Sequence, residues 1–238
     1  MQIETQLKEL RLHGMCRSWQ ALLETRRHHE LTLAEGLELL LQAEQEQRTG
    51  KRFDRLQKNA HFRYQASIEE LTMESARGMD RSVITELATG TYIDKGEAIL
   101  VSGASGAGKS FLISALGHQA CAQGYRVGYY SLQKLLLRTK MNRLDGSIYK
   151  FMEMISKCDL LILDDFGLTR LEQQQRMDLM EIIEDRHAKR ATVIASQLPV
   201  ANWYDVIGEG MVADAILDRL VHTSYRIELT GESLRKKR

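Results

Sequence analysis

Residues 103–110 read GASGAGKS and directly follow the apolar run AILVS at 98–102. They match the pattern G-x-x-x-x-G-K-[ST] at every fixed position, with a strand pattern before them and a helix pattern after them. Glycines let such a loop turn its backbone N–H groups toward phosphate oxygens, and the amino end of the following helix adds a positive partial charge. The stretch therefore predicts an α/β fold that binds a nucleoside triphosphate through this loop.

The side chains at the end of the loop predict how the phosphates are held. Lys109 is expected to reach the β- and γ-phosphates, and Ser110 is expected to hold Mg²⁺. The sequence lacks the N-K-x-D motif that reads guanine, so we expect ATP, with Mg²⁺, rather than GTP. The predicted ATP-binding residues are Gly103, Ala104, Ser105, Gly106, Ala107, Gly108, Lys109 and Ser110.

A second motif, LLILDDFG at 160–167, places two acids after a buried strand, where ligands bind in open α/β sheets. Asp164 is expected to orient the water shell of the metal, and Asp165 to act as general base toward an attacking water. The alternative is a pair of acids that merely ends a strand in a solvated turn. The doublet favours an ATPase; a P-loop kinase for a small metabolite stays possible, whereas the absence of an LSGGQ motif argues against a transporter-type ATPase.

Hydrophobic periodicity divides the chain into two predicted domains. Residues 1–75 show helical spacing throughout and predict a helical domain, whereas residues 76–238 alternate short apolar runs with helical segments. Such alternation predicts a parallel sheet covered by helices on both faces. The predicted strands are 98–102, 126–130, 160–163, 192–196 and 225–229.

The composition of the chain argues against a membrane protein, a secreted protein and a cysteine-based metal site. The chain of 238 residues has a formal net charge of +1, and it contains no apolar stretch long enough to cross a membrane and no signal-peptide pattern. Its three cysteines lack metal-type spacing, which is typical of reduced thiols. We therefore expect a cytoplasmic protein.

Basic residues gather in two runs that few acids offset. A helix over 48–63 would present six of them on one cationic face, which suits a DNA backbone, although a merely solvated charged face is the alternative. Neither run has base-reading character, so the expected partner is DNA, as a duplex, contacted with little sequence specificity. The predicted DNA-binding residues are Arg48, Lys51, Arg52, Arg55, Lys58 and Arg63 in the first run and Lys134, Arg138, Lys140 and Arg143 in the second.

The C-terminal stretch SQLPVANWYDVIGEGMVADAILDRLVHTSYRIELTGESLRKK closely resembles the IstB-like proteins, ATP-binding helpers of insertion-sequence transposition. It is more distantly similar to the DnaC helicase loader, and both groups are AAA+ ATPases. The resemblance implies a homo-oligomer that assembles with ATP on DNA and assists a transposase. A DnaC-like helicase loader is the alternative within the same fold.

The resemblance also implies roles for single residues. Arg219 falls where related proteins place an arginine finger that reaches the ATP of the next subunit; a surface ion pair with Asp214 or Asp218 is the alternative. Arg235 is similar to a sensor-2 arginine, or else belongs to a basic tail. The usual sensor asparagine after the fourth strand is replaced by Ser196 and Gln197, and the resemblance leaves open which of the two acts.

Two further expectations follow from the resemblance. In related proteins the stretch 132–143 faces a central channel in which DNA runs. Only 19 residues follow Arg219, too few for the usual helical lid. We therefore expect the adenine to be enclosed elsewhere, around Tyr92 and Ile93.

Overall fold

The structure is a computed structural model that describes residues 2–208, 210–231 and 233–234. The chain divides into two compact units, Met1–Arg55 and Leu56–Arg238. This division falls within a long helix, whereas the sequence predicted a boundary at residue 75. The reason is that the segment after Arg55 packs on the α/β unit.

The first unit is helical. It contains α1 (Gln2–Glu9), α2 (His13–Glu24) and the greater part of α3 (Leu33–Ala60), with one 3-10 turn at Arg27–His29. A carboxylate of α3 caps the amino end of α2, because Glu44 Oε2 accepts the backbone N–H groups of Gly14 at 2.7 Å and Met15 at 3.2 Å. Burial opposes the charge of Glu44, but bonds from Arg48 and these amides prevail and lower its pKa.

The second unit begins with the last turn of α3 and an irregular segment. The prediction of helix up to residue 75 is wrong beyond Ala60, because His61 adopts a left-handed conformation with φ +57 and ends α3. His118 fixes the segment. Its Nδ1 accepts from Gln57 Nε2 at 2.6 Å, and its Nε2 donates to the carbonyl of Tyr64 at 3.0 Å. Residues 57–64 therefore belong structurally to the α/β unit.

The described part of this unit forms a five-stranded parallel sheet of order β2-β3-β4-β1-β5. The side chains of the three central strands β1, β3 and β4 are almost entirely buried, as their continuous apolar sequences require in a sheet covered on both faces. All five predicted strands are confirmed to within a few residues. They are β1 (Ala98–Gly103), β2 (Val127–Ser131), β3 (Leu160–Phe166), β4 (Ala191–Ser196) and β5 (Ser224–Leu229).

Helices connect the strands. Phe166, at the end of β3, packs on Trp203 with ring centroids 4.4 Å apart, in a core that lies between the sheet and its helices. Parallel pairing brings the carboxyl ends of all the strands to one edge of the sheet. The helices are α4 (Arg81–Ala88), α5 (Thr91–Lys95), α6 (Lys109–Ala122), α7 (Leu132–Leu144), α8 (Ile148–Ser156), α9 (Gln173–Arg186), α10 (Trp203–Ile207) and α11 (Gly210–Val221).

None of the helices in the described ranges is long and apolar enough to span a membrane.

Candidate nucleotide-binding site

The phosphate loop connects the end of β1 to the start of α6. Gly108 has φ +104 and is followed at once by the first helical residue, Lys109. Gly106 has φ +82, and a Cβ atom there would collide with Ser233. Both positions therefore require glycine, one for the turn into the helix and one for a close approach.

Lys109 lies inside the loop. Its Nζ donates to the carbonyls of Gly103 at 2.8 Å and Ala104 at 2.9 Å, and the residue is only 8% exposed. The amino end of α6 begins at the same residue, so helix dipole and ammonium charge add at one point. Positive charge is therefore concentrated at the loop.

The two acids of β3, the Walker B acids Asp164 and Asp165, lie together in a β-bulge. The register with β4 shifts between Leu163 and Phe166, and Asp165 adopts a left-handed conformation with φ +59. Asp164 is 1% exposed, whereas the side chain of Asp165 is 29% exposed. Strain of this kind is typical of functional sites, and here it gives neighbouring carboxylates different environments.

Asp164 is held by three donors. Its Oδ1 accepts the backbone N–H of Asp165 at 2.8 Å, and its Oδ2 accepts the hydroxyl of Tyr129 at 2.5 Å and Nη1 of Arg63 at 3.4 Å. Burial, and then the charge of Asp164, raise the pKa of Tyr129, which therefore remains a donor. Sequence reasoning missed Tyr129. Its position in β2, the strand that pairs with β3, was the signal that could have found it.

The prediction that Arg63 lies on the cationic face of a helix is wrong. Arg63 lies beyond the end of α3, and its Nη1 is 3.1 Å from Asp165 Oδ2 as well as 3.4 Å from Asp164 Oδ2. Partial burial opposes its charge, but Asp165 and the other neighbouring groups raise the pKa of its guanidinium above the ordinary value. The structure therefore places this arginine at the Walker B acids.

After β4, the structure separates the two sensor candidates. Ser196 is fully buried; its hydroxyl donates to the carbonyl of Phe166 at 2.8 Å and accepts the N–H of Leu198 at 3.0 Å. Gln197 is exposed at the carboxyl edge of the sheet. Of the two candidates, Gln197 therefore has the accessible side chain.

Enclosure of adenine by Tyr92 and Ile93 is a wrong expectation. Both side chains are buried, at 2% and 4% exposure, in α5 before the amino end of β1. The loop lies at the other end of that strand. Flanking it instead are Met79, whose Cε lies 3.8 Å from the position of a Cβ on Gly108, and Leu234, whose N–H donates to the carbonyl of Gly106 at 3.0 Å. The second of these contacts comes from the C-terminal stretch that carries the family resemblance.

Arg235, the sensor-2 candidate, lies outside the described residues.

Arg219 lies at the opposite edge of the sheet from the loop. It shares a small cavity with Ala98 and Thr223, at the amino ends of β1 and β5. Its Nη1 donates to the carbonyl of Ala215 at 2.9 Å, and its Nε pairs with Glu184 of α9. Among the described residues, Arg219 pairs with Glu184 and not with Asp214 or Asp218. No pattern in the sequence indicated Glu184 as its partner.

The remaining basic residues differ in their contacts. Arg143 is bound: Nε and Nη2 lie 3.1 Å and 2.5 Å from Oδ1 of the buried Asp178. Arg48 pairs with Glu44 at 2.7 Å, and Arg138 lies over the ring of Tyr130 at 5.6 Å. Arg143 is therefore part of an ion pair rather than an unengaged cation. The other predicted DNA contacts, Lys51, Arg52, Arg55, Lys58, Lys134 and Lys140, are exposed.

A parallel sheet with strand order 2-3-4-1-5, a phosphate loop after the first strand and paired acids after the third define a protein of the AAA+ fold. The family described as "IstB-like ATP binding protein" matches residues 5–238. The chain belongs to this IstB-like family, and the resemblance seen in its C-terminal stretch is confirmed.

Relatives support the same assignment. The chain is 41% identical to "Putative insertion sequence ATP-binding protein y4pL" of Sinorhizobium fredii, over 97% of this chain and 94% of that protein. It is 40% identical to "Insertion sequence IS1162 putative ATP-binding protein" of Pseudomonas fluorescens, over 82% of this chain and 85% of that protein.

Two solved structures show the same fold at low identity. The DnaC helicase loader has a TM-score of 0.60 at 21% identity, over 69% of this chain and 97% of that one. AMPPCP-bound DnaA from Aquifex aeolicus has a TM-score of 0.62 at 20% identity, over 74% of this chain and 53% of that one. The predicted AAA+ fold is thereby confirmed.

Proposed function

We propose that this protein is a DNA-bound ATPase that oligomerises with ATP on DNA and assists a transposase. The observation that carries the proposal is the pair of unlike carboxylates, buried Asp164 and accessible Asp165, at the sheet edge that also carries the loop of Lys109. A site that only held ATP would need the loop alone. An accessible carboxylate beside it supports hydrolysis.

The residues of the site divide the reaction between them. Lys109 and the N–H groups of the loop hold the β- and γ-phosphates and neutralise charge that develops on them. Asp165 orients a water and accepts its proton as the water oxygen bonds to the γ-phosphorus. The bond from that phosphorus to the β–γ bridging oxygen breaks, and ADP and phosphate leave. Gln197, whose side chain is exposed, hydrogen-bonds the γ-phosphate or the water.

The site also fits Mg²⁺. Ser110 and Asp164 supply hydroxyl and carboxylate oxygens, the donors that this ion prefers, and the bonds from Tyr129 and from the N–H of Asp165 keep Asp164 oriented. When bound, Mg²⁺ would draw charge from the phosphates. Ser110 and Asp164 are the residues that would hold it.

The placement of Arg219 supports an oligomer. Strand β1 is six residues long, so the amino and carboxyl edges of the sheet are about 17 Å apart. An arginine side chain cannot cover that distance within one subunit. A fixed guanidinium suits the charge on the γ-phosphate, and we assign Arg219 to the site of a neighbouring copy.

Exposed cations support a DNA partner. Lys51, Arg52, Arg55 and Lys58 on α3, and Lys134, Arg138 and Lys140 on α7, carry charge suited to phosphates but no arrangement that reads bases. We therefore propose duplex DNA bound with little sequence specificity. The transposase partner rests on the insertion sequences named for the relatives.

The test separates binding from turnover. Lys109→Ala should abolish ATP binding, because it removes the charge that faces the phosphates, and Asp165→Asn should keep binding but lose turnover, because an amide cannot accept the proton. Binding of a fluorescent ATP analogue, phosphate release and particle size would be measured with and without duplex DNA. Lys95→Ala, an exposed lysine at the amino edge of the sheet, is the control. Parental turnover in both site variants would refute the proposal.

A further inference from the structure

Arg63 is a cation already present at the acids to which the proposed hydrolysis assigns metal and water. Its Nη1 lies 3.1 Å from Asp165 Oδ2 and 3.4 Å from Asp164 Oδ2, and its side chain is 42% exposed. A guanidinium hydrogen-bonded to Asp165 competes with the water that this carboxylate must orient. At Asp164 it competes with the water shell of the metal. In this arrangement Arg63 contacts both acids.

The residues on both sides of Arg63 are anchored to α6, the helix that begins at the phosphate loop. The ring of Phe62 lies 4.2 Å from that of His118, and it packs so closely on Gly117 that a Cβ there would collide with it. The carbonyl of Tyr64 accepts from His118 Nε2 at 3.0 Å. The backbone around Arg63 is therefore fixed, whereas its guanidinium is accessible to solvent and can leave the acids by side-chain rotation.

The same anchored segment adjoins a cation proposed to bind DNA. Leu56 and Ala60, in the last turns of α3, are buried at 8% and 1% exposure, whereas Lys58 between them is exposed. Lys58 lies about five residues before Arg63, with the left-handed residue His61 between them. A phosphate backbone bound at Lys58 would place strong negative charge next to this segment and offer the guanidinium a second anionic partner.

We propose that Arg63 is a latch: in the DNA-free subunit it occupies the Walker B acids and restrains hydrolysis, and a DNA backbone bound at the end of α3 draws it away. The inference rests on the proposed ATPase and DNA-binding functions. Because the latch is partly exposed, it is weak and reversible, as a switch must be. Arg63 is thus a positioning residue that acts through Asp164 and Asp165.

Arg63→Gln tests the latch, and Arg190→Gln is its matched control. Arg190 is 43% exposed, close to the 42% of Arg63, and pairs with Asp159 at 2.6 Å, so the control removes an arginine–aspartate pair just before the amino end of β4. Phosphate release would be measured at saturating ATP, with and without a linear duplex of random sequence. In Arg63→Gln we expect DNA-free turnover to rise about three- to tenfold and the stimulation by DNA to shrink by the same factor. Arg190→Gln should match the parent in both.

A second readout is the dependence of turnover on Mg²⁺. If Arg63 competes with the metal's water shell, Arg63→Gln should reach half-maximal turnover at a lower Mg²⁺ concentration, whereas Arg63→Lys, which keeps the charge, should not. A purely structural role of Arg63 would not shift this concentration.

The outcomes distinguish the latch from the function on which it rests. If the parent hydrolyses ATP faster with DNA, but Arg63→Gln shows unchanged or lower DNA-free turnover, the latch is refuted and the ATPase stands. If DNA-free turnover rises in Arg63→Gln but DNA leaves the parent rate unchanged, release by DNA is refuted. If the parent and Arg63→Gln both fail to hydrolyse ATP with DNA present, the proposed function itself is refuted, and the latch with it.

Discussion

Arg219→Ala is the variant that most directly tests assembly of the active site between subunits. Arg219 lies about 17 Å from the loop edge of its own sheet, fixed by Glu184 and the carbonyl of Ala215. Removing it should leave ATP binding by the same subunit intact. It should lower turnover on the order of 10³-fold, the effect known for a guanidinium that neutralises the γ-phosphate in the transition state.

Mixing two inactive variants gives a prediction with a definite size. Asp165→Asn subunits keep the finger and lose the base, whereas Arg219→Ala subunits keep the base and lose the finger. In an equimolar random mixture, an active interface needs an Arg219→Ala subunit as the site and an Asp165→Asn subunit as its neighbour. About one quarter of interfaces meet this condition, so about one quarter of parental turnover should return.

The assay is phosphate release over a series of mixing ratios at constant total protein, with ATP and duplex DNA present. Activity should follow the product of the two fractions and reach its maximum at equal amounts. The matched control replaces Asp165→Asn by the double variant Asp165→Asn, Arg219→Ala, whose subunits supply neither base nor finger. Mixtures with this control should stay inactive at every ratio.

Two results would refute the reasoning. One is the absence of recovery in mixtures that are shown, by differently labelled subunits, to assemble together. The other is near-parental turnover by Arg219→Ala alone, which would leave the arginine with only its ion pair to Glu184.

Two further predictions concern stability and DNA. Burial lowers the pKa of Arg186 only to about 10, so its guanidinium is charged at neutral pH and donates to three backbone carbonyls and a hydroxyl; Arg186→Met should lower the free energy of unfolding by about 3–5 kcal/mol in urea titrations. A loss below about 1 kcal/mol, as expected for the exposed Arg190→Gln, would contradict this. Lys134→Ala with Arg138→Ala should weaken binding to unrelated duplexes alike and reduce the slope of log affinity against log salt by about one unit per lost contact. An unchanged slope would remove α7 from the DNA path.

The sequence predicted those parts of the fold in which a short run of consecutive residues determines both the local structure and its place in the fold. A strand buried on both faces has to be continuously apolar, so LLIL at 160–163 is recognisable without knowing its neighbours. The phosphate loop is likewise a local object, because glycines, lysine and the helix amino end act over eight consecutive residues. Strand bounds and loop residues could therefore be read directly.

The parts that sequence did not predict depend on contacts between distant residues. Helical spacing continues smoothly past Ala60, but His61 ends α3, and Arg63, beside the Phe62–His118 contact, pairs with acids that lie about 100 residues further along the chain. The count of local charges assigned Arg63 to a cationic face, because its partners Asp164 and Asp165 are far from it in the sequence. The pairing of Arg219 with Glu184 escaped prediction for the same reason.

In the proposed oligomer two guanidinium groups act on each pair of carboxylates, and we expect opposite effects from them. Arg63 lies in the same subunit and contacts Asp165 directly, so under the proposed latch it withholds the base from the reaction. Arg219 lies at the sheet edge opposite the phosphate loop of its own subunit, so in the proposed oligomer its charge acts at the site of another copy. Loss of Arg63 should raise turnover and loss of Arg219 should abolish it. If the two arginines acted only through the general electrostatic potential, removing either one would change turnover in the same direction. Opposite changes in turnover can therefore arise only from the different positions of the two charges.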